Sequence, residues 1–350
     1  RLAAYWQRNF RKKKSMNKVR VGVVGMGLGR HHVATYAASE HVAEIVLVDK
    51  DPPRLESIRS ANPKVTSVYY DIAEMLASEA LDGVSVATPD QFHLEHATAV
   101  IEAGRNLLLT KPIACNLRDA ETIVGLAERR GVKLMIAHEA RYRSRSRALK
   151  QMVQEGFFGD IIHIRMDAIH DKRKQFAESP WYASAEAGRT ATIGTGIHEI
   201  DFLRFLIDRP VLEVNALSNN LGTLAFPKPK TISAIFQFEG GAIGQTLVTY
   251  EARWDEVGEI DDGFRLIGTE GMAVGHKATR DGLGAWIDLP RDEDEVRAGT
   301  EGVVNSFIGS IANDDPIAVT GQDALVSLRL CDTVDRVSDS LQHYRDRPAA

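Results

Sequence analysis

The chain is poor in cysteine and contains no long apolar segment. Its 350 residues include only two cysteines, Cys115 and Cys331, which lie far apart and outside any C-x-x-C pattern. This scarcity argues against a disulfide framework or a cysteine-based zinc cluster, and it favours a reducing compartment. No apolar run approaches the roughly 18 residues that a transmembrane helix requires. We therefore expect a cytoplasmic protein with no metal centre and no membrane attachment.

An excess of positive charge is also missing. Lysine and arginine total 43 residues against 48 aspartates and glutamates, and the formal net charge at pH 7 is -5. Binding to a phosphate backbone requires a clustered basic surface, so nucleic acid is not an expected partner. We interpret the one basic segment, residues 1–19, as an extension outside the folded domains.

The remaining composition is that of a globular protein with two domains. Apolar residues make up 44% of the chain and charged residues 26%, which is the usual balance of a packed protein. A chain of 350 residues is also too long for one ordinary core. Because the pattern of apolar segments changes near residue 140, we expect a first domain at 20–139 and a second at 140–350.

Short apolar strands alternate with helical segments in the first domain. Asp71, Asp90 and Asn116 stand where helix N-caps are expected. This alternation is typical of a doubly wound parallel sheet, so the predicted fold class is α/β. The predicted strands are VRVGVV, EIVLVD, SVYY, DGVSVAT, NLLLT and VKLMIAH.

Longer strands with alternating apolar residues follow in the second domain. The clearest are IIHIRMDAI (161–169), TISAIFQF (231–238) and AIGQTLVTY (242–250). A period of two predicts antiparallel strands, and helical segments lie between and after them. The second domain is therefore predicted to be α+β.

A glycine-rich loop follows the first predicted strand and opens the first helix. In that setting backbone N–H groups at a helix N-terminus hold a pyrophosphate. The third glycine of the G-x-G-x-x-G pattern is replaced by Arg30, and a glycine stands one residue earlier. The loop residues predicted to contact a dinucleotide are Gly25, Met26, Gly27, Leu28, Gly29 and Arg30.

An acid ends the second predicted strand. Asp49 follows Gly29 by 20 residues (49 minus 29), the spacing at which an acid accepts hydrogen bonds from the adenosine ribose. Without the loop, the same residue would be an ordinary turn residue. The acid repels a 2′-phosphate, so NAD is the expected cofactor, and Lys50 beside it leaves NADP as the alternative.

Polar residues follow the fourth and fifth predicted strands at the carboxyl edge of the sheet, where open α/β sheets bind ligands. Thr88 and Pro89 follow the fourth strand, and Thr110 and Lys111 follow the fifth. We expect all four to contact the cofactor.

Two histidines are three residues apart on the next predicted helix. No third ligand lies near His93 and His96 in sequence, so we interpret both as helix-surface residues and not as metal ligands. His93 is placed among the cofactor contacts.

Taken together, these motifs resemble the glucose-fructose oxidoreductase, inositol dehydrogenase and MocA-type family (Gfo/Idh/MocA). The landmarks ATPDQFH, LLLTKPIA, GTGIHEID and PIAVTGQDAL occur in family order, and the resemblance covers residues 20 to about 340. It implies a Rossmann domain that binds NAD(P), followed by a domain with a large open, mainly antiparallel sheet. That second domain would supply substrate contacts and an interface, so we expect a homo-oligomer, either a dimer or a tetramer.

The resemblance assigns a catalytic role to Lys111. In the family, the lysine of a Glu-Lys-Pro motif lies beside the nicotinamide, and this chain has Lys111 followed by Pro112. An ammonium there would stabilise the developing alkoxide charge. The family glutamate is replaced by Thr110, which keeps a hydrogen-bonding group but loses the charge. The alternative is a surface lysine at a strand end.

His198 matches the family's catalytic histidine and is the candidate general base. Asp201 matches the acid that usually follows it, whereas Gly194 stands where the family has an aspartate. The preceding family glycines are also replaced in part, since this chain has Arg189 and Thr190 there. The alternative is a buried structural histidine near a helix start.

Further residues are expected to enter the cleft between the domains. Hydroxyl-rich ligands suit polar donors beside one aromatic face, although the same residues also suit an ordinary domain junction. The predicted substrate contacts are His138, Arg141, Tyr142, Trp181, Thr195 and His198.

The sequence thus predicts an NAD(P)-dependent oxidoreductase that interconverts a secondary alcohol and a ketone on a sugar, cyclitol or related polyol. Two alternatives stay open. One is a glycoside hydrolase that keeps its NAD bound and oxidises the sugar only transiently. The other is a non-catalytic NAD-binding regulator of the same fold.

Overall fold

The computed structural model describes residues 18–253 and 263–342. Residues 1–17, most of the predicted basic extension, lie outside the described residues. Within the described part the chain forms a sheet of six strands and a sheet of nine. None of the described helices combines the length and the apolar character that crossing a bilayer requires.

The first sheet is parallel throughout and confirms the predicted doubly wound fold. Its order is β3-β2-β1-β4-β5-β6, so the chain reverses direction across the sheet between β1 and β4. Ligands of such sheets bind at this switch point, outside the carboxyl ends of the strands. The strands are β1 (Val19–Val24), β2 (Val42–Val48), β3 (Val65–Tyr69), β4 (Gly83–Val86), β5 (Asn106–Thr110) and β6 (Leu134–Ala137).

Five helices connect these strands, and their N-caps agree with the sequence at two of the three predicted positions. Asp71 and Asn116 each accept hydrogen bonds from backbone N–H groups in the first turn of the helix that follows. The prediction for Asp90 is wrong, because its carboxylate pairs with Arg189 and caps no helix. The helices are α1 (Gly29–Ala38), α2 (Pro52–Ala61), α3 (Ile72–Ser78), α4 (His93–Glu102) and α5 (Leu117–Arg130).

The second sheet is mainly antiparallel, as predicted. Its order is β15-β14-β13-β12-β7-β11-β10-β9, with β8 beside β11, and only the β11 pairings with β7 and β8 are parallel. The strands are β7 (Ile161–Arg165), β8 (Ala168–Ile169), β9 (Val211–Asn219), β10 (Thr231–Phe238), β11 (Ile243–Thr249), β12 (Arg265–Gly268), β13 (Gly271–Val274), β14 (Lys277–Arg280) and β15 (Ile287–Asp288).

The strand predicted at 161–169 is interrupted in the structure. Asp167 separates β7 from β8, where its carboxylate accepts a hydrogen bond from the backbone N–H of Leu247 at 2.9 Å and pairs with Arg165 at 2.8 Å. A buried carboxylate thus takes the place of a ladder hydrogen bond, and the chain bends there.

Five more helices belong to the second half of the chain. Helices α8 and α10 cover one face of the nine-stranded sheet, whereas Val303 and Phe307 of α9 are buried in the same core as Val21 of β1. The chain beyond residue 139 therefore completes the core of the first domain. The helices are α6 (Ser144–Gln154), α7 (Arg173–Glu178), α8 (Ile197–Ile207), α9 (Glu295–Asn313) and α10 (Gly321–Gln342).

The opposite face of the second sheet carries exposed apolar side chains. Leu217 of β9, Ile235 of β10 and Ile243 of β11 are 56%, 47% and 43% exposed. The register of the three strands places these side chains on the same face. An apolar sheet face of this kind is a surface on which proteins associate.

Candidate active site

One large cleft lies at the carboxyl edge of the first sheet. Its volume is about 1720 Å³, and both domains line it. The first domain contributes the glycine loop and Lys111, and the second contributes the segment that leads into α8. The cleft thus brings together most of the residues that the sequence singled out.

The glycine loop is shaped for close approach by a ligand. Gly25 has a φ of +87°, and a Cβ there would lie 2.8 Å from the carbonyl oxygen of Ala87, so only glycine fits this turn. A Cβ on Gly27 would meet nothing within 4 Å, which leaves that side of the loop open. The side chain of Met26 is fully buried, so this residue can present only its backbone to a ligand at the loop.

Asp49 lines the cleft and also holds the loop in place. Its carboxylate accepts a hydrogen bond from the backbone N–H of Met26 at 2.5 Å and another from Asp51 at 3.0 Å. Lys50 and Arg54 line the cleft beside it. The acid predicted to face a ribose therefore sits next to two basic side chains.

These residues fit an adenine dinucleotide. An open loop precedes α1, whose first turn carries no acidic side chain, so its positive N-terminal end is available to a pyrophosphate. The carboxylate at the end of β2 suits the two hydroxyls of an adenosine ribose. The strand-end residues Thr88 and Pro89 also line the cleft.

The structure corrects the interpretation of His93. The predicted surface histidine is fully buried and is absent from the cleft wall. Its ring nitrogens lie 2.8 Å from the Pro112 carbonyl oxygen and 3.0 Å from that of Thr88. His93 therefore ties the ends of β4 and β5 together, and His96 faces the cleft in its place.

Thr110 lines the cleft at the end of β5, but its hydroxyl is engaged within the sheet. It is buried, and its hydroxyl donates a hydrogen bond to the carbonyl oxygen of Val86 at 3.2 Å. The neighbouring residue, Lys111, points across the cleft instead, where its Nζ donates to the Gly194 carbonyl oxygen at 3.2 Å. Of this pair, only the lysine offers a charged group to a ligand.

Lys111 is held in a partly desolvated, positively charged environment. Burial and the nearby Arg189 guanidinium lower the pKa of Lys111, while Asp90, Glu139 and Glu199 oppose that shift. A negative group in contact with Lys111 would favour the charged ammonium form of this side chain. An ammonium in this position is suited to stabilising developing negative charge.

Arg189 was not singled out by the sequence, yet it lies at the centre of the site. Its guanidinium pairs with Asp90 at 2.6 Å and donates to the Gly194 carbonyl oxygen at 2.9 Å. A Cβ on Gly194 would lie 2.9 Å from Arg189 Nε and 3.0 Å from the Tyr250 hydroxyl. The arginine therefore fills the space beside position 194.

A π-helical turn, Thr192–Gly196, leads directly into α8. The hydroxyls of Thr190 and Thr192 donate to the Asp335 carboxylate of α10 at 2.7 and 2.6 Å. Two partly buried hydrogen bonds thus fix the start of the segment that carries Gly194 and His198.

His198 lies on the cleft wall at the first turn of α8. Burial lowers the pKa of its imidazole well below 6.5, and the positive charge of Lys111 lowers it further, as do His138 and Arg143. A histidine in this environment is neutral near pH 7 and can accept a proton. This is the chemical property that a general base needs.

Three of the six predicted substrate contacts line the cleft: Trp181, Thr195 and His198. The indole of Trp181 stacks on Tyr182 with the ring centroids 3.9 Å apart, and the Arg189 guanidinium lies 4.7 Å from the Tyr182 centroid. The Thr195 hydroxyl lies 3.0 Å from that of Tyr250. The wall therefore combines aromatic faces with hydroxyl groups.

The prediction that His138, Arg141 and Tyr142 enter the cleft is wrong, because none of them lines it. Arg141 binds the Asp201 carboxylate through two hydrogen bonds of 2.7 and 2.6 Å, and His138 Nδ1 lies 3.4 Å from the same carboxylate. Burial alone would raise the pKa of Asp201, but His138 and Arg141 outweigh it and lower the pKa to about 2. These residues form a domain junction behind His198.

Metal binding finds no support in the part of the chain that the structure describes. Over residues 18–253 and 263–342, no three histidine, cysteine, aspartate or glutamate side chains form a group that could hold an ion.

The fold and the cleft define a class of protein: a nucleotide-binding α/β domain joined to a second domain that faces the cofactor edge. Residues 19–138 match the model for the oxidoreductase family with an NAD-binding Rossmann fold, Gfo/Idh/MocA. Residues 146–274 match the C-terminal domain of the same family. The chain belongs to the Gfo/Idh/MocA oxidoreductase family, as its motifs predicted.

Known relatives show what this chain is similar to. The 1,5-anhydro-D-fructose reductase of Ensifer adhaerens is 26% identical over 264 residues, 73% of this chain and 77% of that protein. The inositol 2-dehydrogenase of Rhodococcus erythropolis is 28% identical over 265 residues, 72% of each.

A solved structure shows the same fold. An oxidoreductase from Agrobacterium radiobacter, in complex with NAD+, L-tartaric acid and magnesium, has a TM-score of 0.81 to this chain. The two are 18% identical, and the match covers 92% of this chain and 97% of that one. At this identity the likeness concerns the fold.

Proposed function

We propose that the protein is an NAD-dependent oxidoreductase that interconverts a secondary alcohol and a ketone on a sugar, cyclitol or related polyol. One observation carries the proposal: the glycine loop, Asp49, Lys111 and His198 line a single cleft. The names of two relatives, an anhydrofructose reductase and an inositol dehydrogenase, place their substrates among sugars and cyclitols.

In the proposed oxidation, two groups of this chain act at the reacting carbon. His198 takes the hydroxyl proton, for which its lowered pKa keeps the imidazole neutral. Lys111 stabilises the oxygen while negative charge develops on it. The glycine loop and Asp49 would hold NAD+, which would supply the acceptor for the hydride that leaves the same carbon. In the reverse direction, His198 returns the proton to the ketone oxygen.

Other residues would bind and orient the substrate. Trp181 and Tyr182 offer an aromatic wall for the C–H face of a sugar ring. The hydroxyls of Thr195 and Tyr250 lie beside Gly194, whose carbonyl oxygen accepts the hydrogen bond from Lys111. The Asp49 carboxylate favours NAD over NADP, while Lys50 keeps NADP as the alternative.

Two other functions are tested by the same assay. A glycoside hydrolase that retains its NAD would release an aglycone with no net formation of NADH. A regulator would bind NAD without turnover, an alternative that Thr110 and Gly194 keep open because both depart from the family pattern.

The experiment has two stages. The first is the thermal stability of the protein with NAD or NADP, since a ligand at about 100 times its Kd adds roughly 2.7 kcal/mol. The second is a panel of sugars, cyclitols and simple glycosides, read by NADH absorbance and product chromatography. The proposal is supported if NAD binds and at least one polyol of the panel reduces NAD+ to NADH. Binding without any turnover across the panel contradicts it and favours the regulator.

A further inference from the structure

Positive side chains surround the point where Lys111 meets Gly194. Lys111 Nζ and an Arg189 guanidinium nitrogen both donate to the Gly194 carbonyl oxygen, at 3.2 and 2.9 Å. Lys172, between β8 and α7, lines the same cleft, and its Nζ lies 5.6 Å from the centroid of the Tyr250 ring. The hydroxyl of that ring is 3.0 Å from the Cβ position of residue 194. The three cations therefore share one small region.

In the part of the chain that the structure describes, the carboxylates nearest to Lys172 do not form an ion pair with it. Asp90 forms its ion pair with Arg189, and Glu199, which also lines the cleft, interacts favourably with Lys111 and Lys172 from outside ion-pair distance. Lys172 Nζ donates to the side-chain oxygen of Gln175 at 2.6 Å. Among the described residues, no carboxylate reaches ion-pair distance of the Nζ of either lysine.

The positive charge of Lys111 disfavours the charged form of Lys172. Burial, together with the positive charges of Lys111 and Arg189, lowers the pKa of Lys172 to about 8. Lys111 is shifted in the same direction by burial and by Arg189. An anionic ligand between them would relieve this repulsion, because an opposite charge at close range favours the charged form of each lysine.

We propose that the substrate carries a carboxylate, which Lys172 binds above the Tyr250 ring while Lys111 meets the reacting hydroxyl. The substrate class is then a sugar-derived or cyclitol-derived hydroxy acid, such as an aldonate or a uronate. This inference rests on the proposed function and narrows it.

A single negative charge fits this site better than a phosphate does. The Arg189 guanidinium, whose fork would suit a phosphate, is already occupied by Asp90 and by the Gly194 carbonyl oxygen. Lys111 is reserved for the reacting oxygen, which leaves the single point charge of Lys172 for the anion.

The test compares matched acid and neutral compounds on NAD-saturated protein. The probes are gluconate against glucitol, glucuronate against glucose, and glucose 6-phosphate as the phosphate arm. Initial rates give kcat/KM, and thermal shift gives binding without turnover. The variants are Lys172→Met and Lys172→Arg, with Lys228→Met as the matched control because that lysine is exposed and does not line the cleft.

We expect the acids to be preferred over their neutral partners in the unmodified protein. Lys172→Met should lower kcat/KM for the acids by about tenfold or more, because a hydrogen bond to a charged group contributes more binding free energy than one between neutral groups. Lys172→Arg should retain most of the preference. Lys228→Met should leave the preference unchanged, and none of the variants should alter NAD binding, which also reports on folding.

Each contrary result has a distinct meaning. If neutral polyols were oxidised with the same kcat/KM as the acids, the carboxylate inference would be overturned and the proposed function would stand. Acids that bind through Lys172 without reducing NAD would uphold the inference and overturn the proposed function. Acid binding that Lys172→Met leaves intact, or a preference for glucose 6-phosphate, would overturn the inference.

Discussion

The Arg189 guanidinium and the Asp90 carboxylate form a 2.6 Å ion pair that joins the two walls of the cleft. Asp90 follows β4 in the first domain, and Arg189 precedes the π-helical turn in the second. Both side chains are nearly inaccessible to solvent, with exposures of 7% and 8%. The pair therefore fixes the spacing between the cofactor edge and the segment that carries His198.

Breaking this pair should destabilise the protein strongly. Asp90→Asn keeps the side-chain shape but leaves a buried guanidinium without its charge partner, which costs about 3–5 kcal/mol. The exposed Arg336–Asp332 pair offers a matched control, because Asp332→Asn should cost less than about 1 kcal/mol. Urea denaturation measures both. Equal losses for the two variants would show that the buried pair does not couple the domains.

A double variant tests the cause of that loss. Adding Arg189→Met to Asp90→Asn removes the stranded charge, so the double variant should be less destabilised than the sum of the two single variants. Simple additivity would mean that Arg189 acts through its contact with Gly194 or with the aromatic rings, and not through Asp90.

The sequence predicted what depends on local pattern. Short segments whose periodicity and turn residues are visible directly predict the six strands of the first sheet, the glycine loop and the strand-end positions of Asp49 and Lys111. Arg189 was seen only as a departure from a glycine pattern, because its partner Asp90 lies 99 residues earlier (189 minus 90). Its signal, a charged residue at a family glycine position, is recognisable only once that partner is known.

Long-range pairing also explains why some of the predicted substrate contacts were wrong. His138 and Arg141 follow β6 at the ligand-binding edge, so sequence position alone placed them in the cleft. The structure directs them to Asp201 of α8, and Arg141 also reaches Asp323 of α10, at 2.6 Å. Buried charges pair wherever the fold brings opposite charges together, and helices that come more than 50 residues later cannot be placed by local pattern.

Asp49 should control the choice between NAD and NADP. Asp49→Asn retains an acceptor for the Met26 N–H but removes the charge that repels a 2′-phosphate, and Lys50 and Arg54 are nearby to attract that phosphate. We expect the NAD to NADP affinity ratio to fall by about tenfold or more, as for the loss of a charge-assisted hydrogen bond. Fluorescence titration with NADH and NADPH measures the ratio.

The control for Asp49 is Asp51→Asn. Asp51 carries the same charge two residues away, but its side chain caps α2, and an asparagine keeps that cap, so Asp51→Asn should change neither the fold nor the cofactor preference strongly. An unchanged affinity ratio in Asp49→Asn would show that this acid does not face the ribose.

The exposed sheet face should be an interface between copies of this chain. A sheet face that exposes apolar side chains is otherwise an association hazard, and closed homo-oligomers are the common solution. We expect a dimer or a tetramer in solution, and Ile235→Lys, at the middle of the face, should dissociate it. Light scattering at micromolar concentration measures the mass. A 38.6 kDa monomer of the unmodified chain would contradict the prediction.

Lys111 and His198 should be required for turnover and not for cofactor binding. Lys111→Met keeps most of the side-chain packing while removing the charge, and His198→Ala removes the base. Each should lower kcat by about a hundredfold or more, since general acid–base assistance is typically worth 10² to 10⁴. NADH affinity should change little. Near-normal turnover in well-folded His198→Ala would place the base elsewhere.

Gly194 offers a test of how this site departs from the family pattern. Its φ lies outside the left-handed region, so its backbone accepts a side chain, but a Cβ there would approach Arg189 and the Tyr250 hydroxyl at 2.9 to 3.0 Å. Gly194→Ala should therefore cost stability through crowding alone. Gly194→Asp adds the same crowding together with a carboxylate beside two cations, Arg189 and Lys111.

The two Gly194 variants should differ in the pH dependence of turnover. His198 must be neutral to take a proton, so the rate falls as the pH drops through its pKa, which burial and neighbouring cations hold well below 6.5. A carboxylate at residue 194 stabilises the imidazolium and raises that pKa, so the acid limb of the kcat profile should move to higher pH in Gly194→Asp than in Gly194→Ala. Each variant is checked for folding by NADH binding first. Acid limbs at the same pH in both would mean that the limb does not report His198, and the assignment of this histidine as the base would fail.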